Sequence, residues 1–380
     1  MLVLHRRFNQ QKRQVIAAII ATLCAILLTY SYSSTVGTPA DCTTSQPKRA
    51  GLANSNSPQL KKLAEYEAVC HSAVTAQMSF FVPTPTTNES AVTYAADVAT
   101  QLREFAKYNV TPLVFFEPAN ENGPINLVSY STGKYDRALD TYFAALKKAG
   151  ITDTMMGTWV PIPEGNLPEW TNVDPAVFSA GVTRAIKIQK KHFPKSKASL
   201  LLDTTTYTEP GNYSNGRAVS LLPFIRGIPP GLVDSFGLQG FPWSPPAYDT
   251  SPTNGRPKDY LRVGLAAETA RSLGIKDIWL NSGTFSSMYA GQAGQVTITP
   301  AQRLSLLNDI VAQIKSLQAQ GFHVAMHLFA EDKSASAEGT NWSYWPTGGY
   351  ATSPSTYAFR TFAHTLQENH VPLWLFDTIK

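Results

Sequence analysis

From about residue 73 onwards, apolar runs of four to eight residues alternate with longer stretches whose apolar positions recur every three or four residues. The short runs read as buried strands and the periodic stretches as amphipathic helices, the rhythm of parallel βα units. The strands are expected at Arg49–Ala53, Ala73–Val82, Thr111–Phe116, Thr154–Val160, Ala198–Thr204, Asp234–Gly240, Asp277–Leu280 and His323–Phe329. Between them, "SPQLKKLAEYEA" opens on Ser57 and Pro58, and "KYDRALDTYFAALKKAG" ends on Gly150. "DPAVFSAGVTRAIKIQKKHF" opens on Asp174 and Pro175, and "TPAQRLSLLNDIVAQIKSLQAQG" runs from Thr299 and Pro300 to Gly321. Short polar N-caps, proline in the first turn and a terminal glycine each mark a helix boundary. Eight strands separated by helices predict an α/β fold, a (β/α)8 TIM barrel. The first strand is short and poorly patterned, and the apolar closing segment "HVPLWLFDTIK" is expected to pack on the barrel.

The N-terminal pattern is different. Residues 1–13 are basic, and residues 14–34 carry no charge, with an apolar core from Val15 to Leu28. That core has the length of a signal-peptide h-region, and adding Thr29 to Tyr32 brings it to about the 20 residues of a membrane span. Two readings stay open: an uncleaved membrane anchor with its N-terminus in the cytoplasm, or a cleaved signal peptide. Either way the barrel is expected outside the cytoplasm. Residues 35–48 are rich in Ser, Thr, Pro and Gly and read as a flexible linker, leaving residues 49–380 for the barrel. Cys42 and Cys70 are candidates for one disulfide or for two free thiols, while Cys24 lies in the apolar segment.

Composition narrows the chemistry. The 380 residues are 43% hydrophobic and 16% charged, and a net charge of +5 is too modest and too dispersed to mark a nucleic-acid surface. HExxH, CxxC, GxSxG, GxGxxG and Walker patterns do not occur, so neither a metal nor a nucleotide cofactor is expected. His323 and His327 are four apart in a strand, where they share no helical face, and they read as packing residues.

In a barrel of this kind functional groups gather at the C-terminal ends of the strands. Those ends carry Glu117, then Glu164, Asn166 and Trp170, then Asp203 and Tyr207. They continue with Phe241 and Trp243, Asn281, and finally Glu331, Asp332, Trp342 and Trp345. Carboxylates bind hydroxyls or move protons, and aromatic faces stack on the apolar faces of sugar rings. Together these strand ends point to a site for a polysaccharide or oligosaccharide.

The run of strand ends resembles glycoside hydrolase family 26, the β-mannanase-like branch of the retaining barrel glycosidases, over about Gly51 to Phe329. "TPLVFFEP" is similar to that family's third strand and "GKYDRALDTYFAALKKAG" to the helix before its fourth. "PEGNLPEW" is similar to the fourth-strand acid/base motif "H-E-x-N-G-x-W", and "VDSFGLQGFPW" to the sixth strand, with Phe241 where tyrosine is usual. The resemblance implies Glu164 as acid/base, Trp170 as a stacking platform and a β-linked polysaccharide as substrate. Two departures stand out: Pro163 replaces the motif's histidine, and "LNSG" stands where the seventh strand ends "x-E-x-G", which puts Asn281 at the nucleophile position.

A retaining glycosidase needs two carboxyl groups about 5–5.5 Å apart. An amide is isosteric with Asp but is a far poorer nucleophile, and no Asp or Glu occurs from Ile278 to Gln295. Three readings follow. The protein is a glycosidase in which Glu331, Asp332 or Asp203 supplies the replacement carboxylate; or it is a glycan-binding pseudoenzyme; or its aromatics are buried in a structural or partner-binding barrel.

Overall fold

The computed structural model describes residues 54–57, 60–61, 63–64, 74–117, 119–120, 123–167, 170–171, 173–204, 220–241, 261–284, 287–289, 295–297, 299–330, 332–333, 340–341 and 354–376. Eight parallel strands close a barrel: β1 (Val74–Pro83), β2 (Thr111–Glu117), β3 (Thr158–Val160), β4 (Lys197–Asp203), β5 (Ser235–Gln239), β6 (Asp277–Ser282), β7 (His323–Phe329) and β8 (Leu373–Phe376). Each strand pairs with its sequence neighbours, and β8 returns to pair with β1. Around them lie α1 (Asn88–Lys107), α2 (Asp136–Lys148), α3 (Pro175–His192), α4 (Val263–Leu273), α5 (Pro300–Ala319) and α6 (Pro354–Glu368). This is the expected TIM barrel.

The helix boundaries follow local chemistry. Asp174 caps α3 by accepting from the N–H groups of Ala176 and Val177, with Pro175 in the first turn. Thr299 and Gln302 form a reciprocal capping box on α5. Gly150 and Gly321, just beyond α2 and α5, take positive φ of 81° and 85°, a conformation open to glycine at little cost. The helix α1 has its own box, Thr87 with Ser90.

Strand burial is nearly continuous, as expected where helices cover one face and the barrel interior the other. Successive side chains alternate between those faces. The interior set is Leu113, Phe115, Val160, Leu201, Trp279, Ala325 and Phe329, with Phe81, Phe241 and Trp374 packed against it. Trp279 fills the interior because its register partner on β5 is Gly237.

Three expectations are corrected. The strand expected at Arg49–Ala53 lies outside the described residues, and the barrel closes without it. The closing segment instead supplies the eighth strand, inserted between β7 and β1. Residues 154–156 are not strand: Asp153–Met156 is a helical turn, capped by Thr152 and ended at Gly157 (φ 62°). Strand ends counted fourth and seventh in the sequence are therefore third and sixth in the barrel.

Beyond the barrel, Ser287–Tyr289, Gln295–Thr297, Thr340–Asn341 and Asp332–Lys333 form a four-stranded sheet that joins the segments following β6 and β7. The N-terminal anchor or signal segment, the linker and the three cysteines lie outside the described residues. Among the described residues no helix is long and apolar enough to cross a membrane.

Candidate functional site

Four adjacent strands place one inward-facing polar residue each in mutual register: Asp203 on β4 opposite Gln239 on β5, Gln239 opposite Asn281 on β6, and Asn281 opposite His327 on β7. All are buried, with exposures of 6%, 7%, 1% and 0%. Gln239 Nε2 donates to Asp203 Oδ2 at 2.9 Å, and Asn281 Nδ2 donates to Gln239 Oε1 at 2.5 Å. The backbone follows the same row, with Thr204 N donating to Gln239 O and Gly240 N to Asn281 O. At the end of the row, His327 sits against the rings of Phe115 and Trp279.

The tip of β4 extends past β3, whose pairing with β4 covers only Thr158–Lys197 and Trp159–Ala198. Backbone groups of a buried strand need partners. The segment after β3 supplies them. Glu164 N donates to Leu201 O at 2.9 Å. The Asn166 side chain accepts from Asp203 N and donates to Asp203 O, both at 2.9 Å, the two bonds a neighbouring strand would make. Holding this course puts Ile162 and Glu164 at positive φ, 85° and 54°. For a β-branched residue such as Ile162 that is a strained conformation of the kind found at functional sites.

Trp170 is corrected from platform to strut. It is 2% exposed, its Nε1 donates to Pro163 O at 2.7 Å, and its ring meets Tyr130 edge-on. No face is free for a sugar. Tyr130 is itself buried, and burial lifts its phenol far above the usual range, a hydrogen bond with Thr84 offsetting part of this. Thr84 Oγ1 donates to Glu117 O, which ties the end of β1 to the end of β2.

Glu117 and Glu164 are half-buried, Glu117 at the strand end and Glu164 in the docked segment. Phe241 is half-buried and packs edge-on against Phe329 at 5.6 Å, an apolar wall beside the polar row. Asp332 opens the short strand that pairs with Thr340–Asn341. Tyr207, Trp243, Glu331, Trp342 and Trp345 lie outside the described residues. In sequence Glu331 falls between Ala330, buried just past β7, and Asp332.

The structure thus brings Asn166, Asp203, Gln239 and Asn281 together. Gln239 was not among the expected site residues. Its signal is parity: in "SFGLQG" it shares the inward face with Gly237. Gly283, the glycine of "LNSG", is needed where the chain passes β7, since a Cβ there would lie 2.5 Å from Phe329 O. Among the described residues no group of three or more His, Cys, Asp or Glu could hold a metal ion.

No family model matches the chain, and no curated protein matches its sequence. Its fold is similar to several solved structures. A family 1 β-glucosidase from Thermotoga maritima aligns with TM-score 0.52 at 12% identity, over 87% of this chain and 94% of that one. An exo-β-1,4-mannosidase from Opitutaceae bacterium strain TAV5 gives 0.52 at 15%, over 77% and 53%. A third, a β-glucosidase, gives 0.52 at 13%, over 79% and 86%. At these identities the likeness is one of fold: the chain is a TIM barrel of the architecture these glycosidases use.

Proposed function

We propose that the protein is a glycosidase acting on a β-linked polysaccharide, with Asp203 and Glu331 as its carboxylate pair. One observation carries this reading: the barrel count. The glycosidase resemblance puts the acid/base after the fourth strand and the nucleophile at the end of the seventh. In the closed barrel β4 ends on Asp203, and Glu331 follows β7 by two residues. Asn281 is the penultimate residue of β6, so in this reading an amide there replaces no nucleophile. In this reading the carboxylate pair is supplied by position in the barrel rather than by repair at Asn281.

In this reading Asp203 protonates the leaving glycosidic oxygen and later deprotonates water, while Glu331 attacks the anomeric carbon to give a glycosyl-enzyme intermediate. Gln239 Nε2 donates to Oδ2 of Asp203 and so orients that carboxyl group. Phe241 lines the substrate-facing side. Glu117 and Glu164 bind hydroxyl groups in this reading. Export through the N-terminal segment, by anchor or signal peptide, would set the barrel against an extracellular polysaccharide. A glycan-binding barrel without turnover is the second reading, favoured by the near-complete burial of Asp203.

The test is to incubate the purified chain with β-mannan, β-1,4-galactan, β-glucan and xylan and follow released oligosaccharides by mass spectrometry. Release by the unaltered protein is expected, with losses of about 10³-fold or more in Asp203→Asn and in Glu331→Gln. Full activity in Asp203→Asn with collapse in Glu164→Gln would return the acid/base role to Glu164. Binding without release from any of these polymers would establish the second reading.

A further inference from the structure

Neither amide of the polar row transfers a proton or attacks in the chemistry just described, yet the carboxylate dictates how both are turned. An ionised carboxylate only accepts hydrogen bonds. Gln239 must therefore present its NH₂ to Asp203 Oδ2, which leaves Oε1 facing Asn281, and Asn281 must answer with its own NH₂. Asn281 Oδ1, at the far end, accepts no hydrogen bond from the described residues. The backbone around this chain is equally fixed. Asn166 clamps both backbone groups of Asp203. Arg303 on α5, 1% exposed, braces the segment after β6 by donating from Nε to Thr284 Oγ1 at 2.9 Å and from its terminal nitrogen to Thr284 O.

We propose that Gln239 and Asn281 are positioning residues for Asp203: a two-amide chain of fixed polarity that holds the Asp203 carboxylate by its Oδ2 in the strand row. This rests on the reading of Asp203 as a catalytic carboxylate. It gives the amide at the end of β6 a role as donor. A carboxylate at that position would set acceptor against acceptor at Gln239 Oε1 and break the chain, so Asn281→Glu destroys function rather than restoring a lost nucleophile.

The ionisable groups on the neighbouring elements are Glu117 at the end of β2, Glu164 in the segment docked on β4 and His327 in the strand row on β7, and in sequence Glu331 follows β7. The test isolates the amide chain from these. The protein is labelled with 13Cγ-aspartate, and the Asp203 resonance is identified by its loss in Asp203→Asn. Its pH titration is then followed in the unaltered protein, Gln239→Met, Asn281→Leu and the double variant. A hydrogen bond donated to the charged form favours that form. Both single variants are expected to move the Asp203 titration upwards, Gln239→Met by about one unit or more, a tenfold change in proton affinity. Asn281→Leu acts only through Gln239, so it is expected to add nothing once Gln239 is replaced.

Additive shifts in the double variant, or an unmoved titration in Asn281→Leu, would overturn the proposal. Asn281→Ser serves as the second probe if the apolar variant does not fold, and the same upward shift is expected. Hydrolysis is measured on the same samples. Coupled, non-additive titrations in a protein that releases no sugar would uphold the amide chain and overturn the catalytic reading of Asp203.

Discussion

Trp279 shows how much of the barrel interior depends on single residues. Its indole Nε1 donates to Ser199 Oγ at 2.8 Å, and Ser199 and Ser235 are bonded to each other. The ring thus has a fixed seat directly over Gly237, where a Cβ would lie 2.3 Å from Cζ2 and 2.4 Å from Cε2. A planar ring held at its nitrogen cannot move aside. Gly237→Ala is expected to destabilise the protein by about 2 kcal/mol, the scale of overpacking in a dense core; urea unfolding measures it, and unchanged stability would mean that Trp279 can repack. Asp203 was legible in the sequence as a strand-end residue; the struts that Asn166 and Trp170 form were not. Their partners, the Asp203 backbone and the Pro163 carbonyl, are set by how an irregular segment docks, and no periodicity encodes that.

The helices α2 and α3 show the same contrast one level up. Their ends were legible because capping is local, but the bonds between them were not. Asp140 on α2 accepts from Lys191 Nζ and pairs with His192 Nε2, both at 2.7 Å, at the last turn of α3. Cationic groups there also complement the helix C-terminus. The hydrogen bonds from Lys191 and then His192 hold the Asp140 carboxyl below its usual range. A carboxyl with a lowered folded-state pKa contributes stability above its unfolded value, near 4, and loses that contribution as pH falls through the folded value. Because the pair is largely exposed the effect is small. Asp140→Asn is expected to lower the melting temperature at pH 6–7 and to converge with the unaltered protein near pH 2, which a pH series of thermal melts resolves. An equal difference at every pH would assign the loss to packing.

At the scale of the whole molecule the barrel depends on its last strand. Seven strands were legible in the sequence as β1 to β7, because alternation between apolar runs and amphipathic helices is a strong signal. The eighth was assigned to residues 49–53 rather than 373–376, since a four-residue apolar segment near a terminus carries no period of its own. That choice moved every strand end by one and counted Asn281 at the seventh strand, where the closed barrel has it on the sixth. The two placements make different demands. If the closing segment merely packed on a finished barrel, removing it would cost some stability and leave a cooperative fold. In the structure β8 pairs with both β7 and β1, and Leu373 and Val371 are buried. Without it, β1 and β7 become open edges whose backbone groups and apolar faces meet water, and such edges template aggregation. A chain ending at Glu368 is therefore expected to lose its cooperative thermal transition and to elute as aggregate in size-exclusion chromatography. A monomeric truncated protein with a sharp melt would show that seven strands suffice, and the assignment of Glu331 to the seventh strand end would lose its footing with it.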